Sequence, residues 1–145
     1  MDLKINALVV DDSGIMRKLV MRCAKESRLA DFTFTEAADG VEALAKFNPE
    51  TTEMIFVDWN MPNMNGIDFV RKVREAQRHH VPVIMITTER TMGKVEEAMT
   101  SAGVDAYVCK PFTAEVLRQK LEPVLAKCAV TANTGFFSKL AAKFS

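Results

Sequence analysis

The amino-acid sequence predicts an α/β fold in which helices cover both faces of one parallel sheet. Five short apolar segments alternate along the chain with segments whose apolar residues recur at helical intervals. Three of the apolar segments, residues 7–10, 54–57 and 83–86, contain no polar residue, which is typical of strands that meet water on neither face. Because strands and helices alternate, we expect parallel strands with right-handed crossovers in a single doubly wound sheet.

Five strands are predicted in chain order. The second differs from the others because residues 32–35 alternate between apolar and polar types, so we expect it nearer the edge of the sheet. The predicted strands span residues 5–10, 32–36, 54–57, 81–87 and 106–110.

Five helices are predicted between and after these strands. Ser13 precedes the first as a candidate N-cap, and the second ends before Pro49. Gly103 follows the fourth, where a left-handed residue is common, and Pro123 is expected to kink the fifth or to end its regular part. The apolar positions at helical spacing are Ile15, Met16, Leu19, Val20 and Cys23; Val41, Leu44, Ala45 and Phe47; Ile67, Phe69, Val70 and Val73; Val95, Ala98 and Met99; and Val116, Leu117, Leu121, Val124 and Leu125.

The length of 145 residues fits one domain with a single core. We expect a folded domain at residues 1–127, a linker at 128–135 and a short amphipathic tail at 136–145. The tail could dock on a partner, contact a membrane surface weakly or fold back onto the domain. Its candidate contact residues, spaced to share one helical face, are Phe136, Phe137, Leu140 and Phe144.

The composition favours a cytoplasmic protein that does not bind nucleic acid. The 19 basic and 19 acidic residues give zero net charge, whereas binding to nucleic-acid phosphates needs a basic excess. No apolar run approaches the roughly 20 residues that span a bilayer, and the first residues do not match a signal peptide. The three cysteines are odd in number and widely spaced, so we expect reduced thiols.

Polar side chains collect where the predicted strands end. Asp11 and Asp12 follow the first strand, Asp58 follows the third, Thr87 ends the fourth and Lys110 ends the fifth. In open parallel sheets, ligands bind outside the carboxyl ends of the strands. The sequence therefore predicts three carboxylates, a hydroxyl and an ammonium in one crevice.

This set of groups suits phosphoryl transfer with Mg²⁺. Neighbouring carboxylates repel one another, and Mg²⁺ accepts a few carboxylate oxygens while it bridges to phosphate. A carboxylate can also attack phosphorus to form an acyl phosphate, whose oxygens Lys110 and Thr87 would contact. An aspartate after a strand is by itself more often a turn residue. It is the combination, in this order, that favours a site.

Four motifs resemble those of the receiver domains of bacterial response regulators. They are Val-Val-Asp-Asp-Ser at residues 9–13, Asp-Trp-Asn-Met-Pro-Asn-Met-Asn-Gly at 58–66, Ile-Thr at 86–87 and Tyr-Val-Cys-Lys-Pro-Phe at 107–112. The similarity covers about residues 5–127 and is greatest to the chemotaxis receivers that stand alone. It implies that the strands lie in the order 2-1-3-4-5, flanked by five helices.

The resemblance implies a role for each residue of the site. Asp58 would accept the phosphoryl group from the phosphohistidine of a CheA-like histidine kinase. The side chains of Asp12 and Asp58 and the backbone carbonyl of Asn60 would hold Mg²⁺, while Asp11 would assist through a bound water. Lys110 would contact the phosphoryl oxygens, together with the hydroxyl of Thr87.

The resemblance also implies a switch and a lifetime. Thr87 would move toward the phosphoryl group while Tyr107 turns inward, which biases a two-state equilibrium of the surface formed by the fourth helix, fifth strand and fifth helix. From its own sequence context, Tyr107 reads as an ordinary packed aromatic. Asn60 and Glu89 occupy positions that tune the phosphoryl lifetime, and their polar character favours a short one. The bond before Pro111 is expected to be cis.

The expected output surface carries Arg90, Lys94, Tyr107 and Lys120. Its partner would be a flagellar switch or another protein, with a phosphatase as a further candidate. The stretch at residues 90–94 lacks the lysine pair of similar receivers, which weakens the case for a flagellar target.

Two classes of function remain open at this stage. The first is a monomeric single-domain regulator whose output is binding, or which acts as a phosphate sink or relay. The second is a magnesium phosphohydrolase with an aspartyl-phosphate intermediate. The second is less favoured because it calls for an acid two residues after Asp58, where the chain has Asn60.

Overall fold

The computed structural model describes residues 3–131, with side chains described as far as Lys127. Its five strands are β1 (Lys4–Val10), β2 (Asp31–Ala37), β3 (Met54–Val57), β4 (Val83–Thr87) and β5 (Ala106–Cys109). All neighbouring strands pair in parallel, in the order β2-β1-β3-β4-β5. The predicted fold class and strand order are confirmed.

Five helical regions connect and follow the strands. Ser13 caps the first, as predicted, because its hydroxyl accepts a hydrogen bond from the backbone N–H of Met16. The helices are α1 (Gly14–Glu26), α2 (Gly40–Lys46), α3 (Gly66–Ala76), α4 (Met92–Glu96), which continues directly into a π-helical segment (Glu97–Ala102), and α5 (Ala114–Thr131).

An apolar core lies on each face of the sheet. Side chains alternate between the faces along a strand. In β1, Ala7 and Val9 therefore pack toward α1 and α5, whereas Leu8 and Val10 pack toward α2, α3 and the π-helical segment. Coverage of both faces explains why residues 7–10, 54–57 and 83–86 of the three central strands are apolar throughout. The edge strand β2 exposes every second residue over its first half, as its alternating sequence predicted.

The fourth helical region differs from the regular helix that its spacing predicted. After only five residues, α4 widens into the π-helical segment. This geometry is rare in proteins overall, and where it occurs it often lies at a functional site. Gly103 ends this segment with a φ of 78°, so the predicted left-handed residue is confirmed.

Several strand ends and the last helix also differ from the predictions. β1 begins one residue earlier than predicted, and β2 is one residue longer at each end. β4 begins at Val83 rather than at residue 81, since Pro82 has no N–H to donate to a ladder, and β5 ends one residue early. Pro123 lies inside α5 and does not end it, because α5 continues to Thr131. Residues 128–131 of the predicted linker are thus helical, while the rest of the linker and the tail lie outside the described residues.

Among residues 3–131, which the structure describes, no helix is long and apolar enough to cross a membrane.

Candidate functional site

The sheet order brings two of the strand-end aspartates side by side. β1 and β3 are neighbours with Val10 opposite Val57, so the next residues, Asp11 and Asp58, follow at adjacent strand ends. The backbone N–H of Asp58 donates to the carbonyl of Val10 at 3.0 Å, which extends this pairing to the aspartate itself. Both aspartates are buried, at 4% and 8% exposure.

Lys110 joins the two buried carboxylates. Its Nζ lies 2.7 Å from Oδ2 of Asp11 and 3.0 Å from Oδ2 of Asp58. Burial acts to lower the pKa of the Lys110 ammonium, but the hydrogen bonds and the negative charges of Asp11 and Asp58 together raise that pKa above its ordinary value. The site therefore contains a charged ammonium fixed between two carboxylates.

Asp12 completes a cluster of three carboxylates. One oxygen from each of Asp11, Asp12 and Asp58 lies within 4.8 Å of the other two. Asp12 is exposed, unlike the other two aspartates. One ammonium among three carboxylates leaves the cluster negatively charged, and three hard oxygen ligands that open toward solvent on one side fit Mg²⁺.

A glycine holds the segment after Asp58 close to the sheet. Oδ1 of Asp58 accepts a hydrogen bond from the backbone N–H of Trp59 at 2.7 Å, and Gly66 N–H donates to the Trp59 carbonyl at 2.8 Å. A Cβ on Gly66 would lie 2.0 Å from the backbone oxygen of Asp58, so no larger residue fits. The sequence pattern predicted no role for Gly66, although this glycine ends the motif at residues 58–66.

The predicted switch residues lie on the neighbouring strands. Thr87 is fully buried, and its Oγ1 accepts a long hydrogen bond of 3.4 Å from the N–H of Glu89. Tyr107 is 9% exposed and donates its hydroxyl to the Glu89 carbonyl at 2.8 Å. Burial, followed by the nearby charges of Cys109, Glu89 and Asp58, raises the pKa of Tyr107 to about 12. The loop after β4 is thus tied to both side chains through Glu89.

The rim of the crevice carries several contacts between loops. Asn60 Nδ2 donates to Oε2 of Glu89 at 2.7 Å, which links the two residues predicted to tune the lifetime. The guanidinium of Arg90 donates to the carbonyl of Lys110. Lys94 places its Nζ 4.6 Å from the centre of the Trp59 ring, a cation–π contact that sequence spacing did not predict.

The structure thus places the predicted strand-end residues at one edge of the sheet. It brings Asp11, Asp12, Asp58 and Lys110 into one cluster, and the bond between Lys110 and Pro111 is cis, as predicted. Lys120 is exposed on α5. The roles of these side chains stay predictions, as does the division into domain, linker and tail.

Comparison with known proteins decides the family. The model of the response regulator receiver domain matches residues 7–122. The chain belongs to this family. It is a receiver of two-component signalling, a family of signalling switches rather than classical enzymes, and it is similar to the chemotaxis proteins CheY.

Several relatives match this receiver over nearly their whole length. It is 48% identical to chemotaxis protein CheY1 of Helicobacter pylori over 120 residues, which cover 81% of this chain and 94% of that protein. It is 41% identical to chemotaxis protein CheY of Pseudomonas aeruginosa over 124 residues, which cover 83% and 95%.

Solved structures of similar proteins share the fold. The structure of Vibrio cholerae CheY4 is 35% identical with a TM-score of 0.72, covering 83% of this chain and 98% of that one. The CheY in the CheX-CheY-BeF3-Mg+2 complex from Borrelia burgdorferi is 26% identical with a TM-score of 0.74, covering 83% and 88%.

Proposed function

We propose that this receiver is a single-domain response regulator that accepts a phosphoryl group on Asp58. The contact of Lys110 with both Asp11 and Asp58 is the observation that carries the proposal. It places a fixed positive charge beside a carboxylate that is 8% exposed, where an incoming phosphoryl group would bring negative charge.

The cluster of Asp11, Asp12 and Asp58 is the proposed magnesium site, with the backbone carbonyl of Asn60 as a further ligand. When bound, Mg²⁺ neutralises the carboxylates and orients the phosphoryl oxygens. The solved structure of a similar CheY from Borrelia burgdorferi is a complex with CheX, BeF3 and Mg+2, which supports the same ligands for this chain.

The proposed reaction is an in-line transfer. A carboxylate oxygen of Asp58 attacks the phosphorus of a phosphohistidine, the new O–P bond forms as the N–P bond breaks, and the leaving imidazole takes up a proton. The Nζ of Lys110 then donates to a phosphoryl oxygen in place of one of its two carboxylate acceptors. The Thr87 hydroxyl donates to a second oxygen. Water later hydrolyses the acyl phosphate beside Asn60 and Glu89, which returns Asp58 to its carboxylate.

The hydrogen bonds around Glu89 support a switch at this site. Thr87 and Tyr107 both contact the backbone of Glu89, so a movement of Thr87 toward the phosphoryl group changes the loop that leads into α4. The affected surface carries Lys94, Arg90 and Lys120. We propose that this surface, in its two states, controls partner binding.

The proposed donor is a CheA-like histidine kinase in the cytoplasm, and the proposed target is a flagellar switch or another protein. The relatives named as chemotaxis proteins support this pathway. A complex of a similar CheY with CheX supports a partner of that kind as a second candidate. A role as phosphate sink or relay uses the same chemistry on Asp58 with no output surface.

The binding half of the proposal is tested by Trp59 fluorescence, because this single tryptophan adjoins Asp58. Addition of beryllofluoride with Mg²⁺ should change the emission of the wild type, and Asp58→Asn should abolish the change. Asp68→Asn removes an exposed aspartate of α3 and serves as the matched control, which should respond as the wild type does.

A response that persists in Asp58→Asn would contradict the assignment of the acceptor. The phosphohydrolase alternative makes a separate prediction, since it requires steady turnover of a phosphate ester. We expect no turnover of a phosphate ester, whereas small phosphodonors such as acetyl phosphate should charge Asp58.

A further inference from the structure

Arg17 of α1 makes two contacts that fix its guanidinium group beside the acidic cluster. Its Nη1 donates to the backbone carbonyl of Asp11 at 2.7 Å, and its Nε donates to Oε1 of Glu36 at 2.8 Å. The Arg17 side chain is 20% exposed. Lys46 of α2 donates to the carbonyl of Glu36 at 2.7 Å, so the residue that anchors Arg17 is itself held.

The carbonyl of Asp11 belongs to the same planar peptide unit as the N–H of Asp12. Its orientation therefore sets the direction in which the chain enters Asp12. The other polar groups of Asp11 are already engaged: its N–H donates to the carbonyl of Ala37, and its carboxylate contacts Ser13 N–H and Lys110. The hydrogen bond from Arg17 is the contact that fixes the backbone carbonyl of Asp11.

Asp12 depends on this backbone orientation more than its neighbours do. Asp11 and Asp58 are both buried and both bound by Lys110. Asp12 is exposed, and none of the described side chains, which lie within residues 3–127, donates a hydrogen bond to its carboxylate. Its place within 4.8 Å of the other two carboxylate oxygens therefore depends strongly on the direction that the backbone gives to its side chain.

Glu36 keeps the guanidinium of Arg17 from pairing with the exposed carboxylate of Asp12. A free arginine next to three carboxylates would pair with the exposed one and compete with a cation for it. The carboxylate of Glu36 holds Nε of Arg17 at 2.8 Å, which directs the guanidinium to the Asp11 carbonyl.

We propose that Arg17, anchored by Glu36, is a positioning residue that orients the peptide between Asp11 and Asp12 and thereby sets the affinity of the cluster for Mg²⁺. This inference rests on the proposed function, since it concerns the same cation. It assigns roles to Arg17 and Glu36 in addition to those of the carboxylates and Lys110.

The sign of the effect separates positioning from simple electrostatics. Removal of a positive charge near an acidic site should strengthen Mg²⁺ binding if only Coulomb attraction matters. Positioning predicts the reverse: Arg17→Gln weakens Mg²⁺ binding by about tenfold, the scale known for contacts that orient metal ligands. Arg17→Lys keeps the charge but lacks the two-donor fork, so it should also weaken binding, although charge alone predicts no change.

The measurement is the dissociation constant of Mg²⁺ for each full-length variant, by Trp59 fluorescence and by calorimetric titration. Arg22→Gln is the matched control, because Arg22 lies on the same helix and is 69% exposed with Glu26 as its ion-pair partner. It should bind Mg²⁺ as the wild type does. Thermal unfolding without Mg²⁺ checks that each variant is folded, and Arg17→Lys supplies the test if Arg17→Gln does not fold.

Unchanged or tighter Mg²⁺ binding in the folded Arg17 variants would overturn the inference while leaving the proposed function intact. Equal weakening in Arg22→Gln would also overturn it, because the effect would then not depend on the Asp11 carbonyl. A wild type that binds no Mg²⁺ in either measurement would overturn the proposed function itself.

Discussion

The helices that follow β3 and β4 differ in how firmly they are held. α3 has eleven residues, begins with the Asn65 side chain accepting from Asp68 N–H at 2.9 Å, and buries five residues. α4 has five residues, has a longer capping contact of 3.3 Å from Thr91, and buries none of its own residues. The π-helical segment after it buries only Ala98 and Ala102.

This difference in burial and capping fits the proposed role of each helix. α3 leads away from Asp58 and would keep this proposed acceptor in one place. α4 leads away from Thr87 and Glu89, where the proposed switch acts. A helix with few buried apolar contacts has a low free energy of local rearrangement, so α4 can shift while α3 and the sheet remain fixed.

The largest expected effect comes from comparing a residue of α3 with a residue of the π-helical segment that follows α4. Phe69 of α3 is fully buried, whereas Met99 of the π-helical segment is 39% exposed. Phe69→Ala should lower the free energy of unfolding by about 3–5 kcal/mol, and Met99→Ala by less than about 0.5 kcal/mol. Denaturant unfolding measures both, and similar losses from the two substitutions would remove the basis of the comparison.

Glycines near the start of both helices give a second, smaller contrast. Gly66→Ala should cost about 3 kcal/mol of unfolding free energy, since its Cβ would collide with the backbone of Asp58. Gly93 has no atom within 4 Å of a built Cβ, so Gly93→Ala should stabilise the protein by up to about 1 kcal/mol. Thermal melts check both signs. A destabilised Gly93→Ala would mean that α4 is more constrained than its contacts indicate.

A further effect, which depends on pH, concerns Tyr107, which ties the loop before α4 to the sheet. Burial and neighbouring charges raise its pKa from 10.0 to about 12 in the folded protein. Between these values the unfolded tyrosine loses its proton first, so the unfolded state binds fewer protons and stability falls as pH rises. Tyr107→Phe should lack this loss.

Absorbance of the tyrosinate measures the titration without ambiguity, because the chain has one tyrosine. An ordinary pKa in the folded wild type would show that the hydroxyl is not held on Glu89 as the structure places it.

The fold and the grouping of side chains at the site could be predicted because each depends on a local pattern. Continuous apolar runs marked the covered strands, and Asp11, Asp58 and Lys110 stand where those runs end. The carboxyl ends of parallel strands lie at one edge, so the grouping followed from the fold class.

Features that depend on contacts distant in the sequence could not be predicted. Arg17 and Glu36 meet only because β2 lies beside β1, and both resemble ordinary surface charges in the sequence. The π-helical segment carries the same apolar spacing as a regular helix over its few residues. The sequence placed Val124 and Leu125 on the fifth helix, but it did not predict that α5 continues to Thr131, into the segment interpreted as a linker.

The central claim is that Asp58 accepts a phosphoryl group with Mg²⁺, and intact-mass spectrometry tests it most directly. Wild type and Asp58→Asn are incubated with acetyl phosphate, with Mg²⁺ or with a chelator. We predict one added phosphoryl group on the wild type with Mg²⁺, lost again after the donor is removed, and none on Asp58→Asn or with the chelator. Equal labelling of Asp58→Asn, or labelling that does not depend on Mg²⁺, would contradict the account.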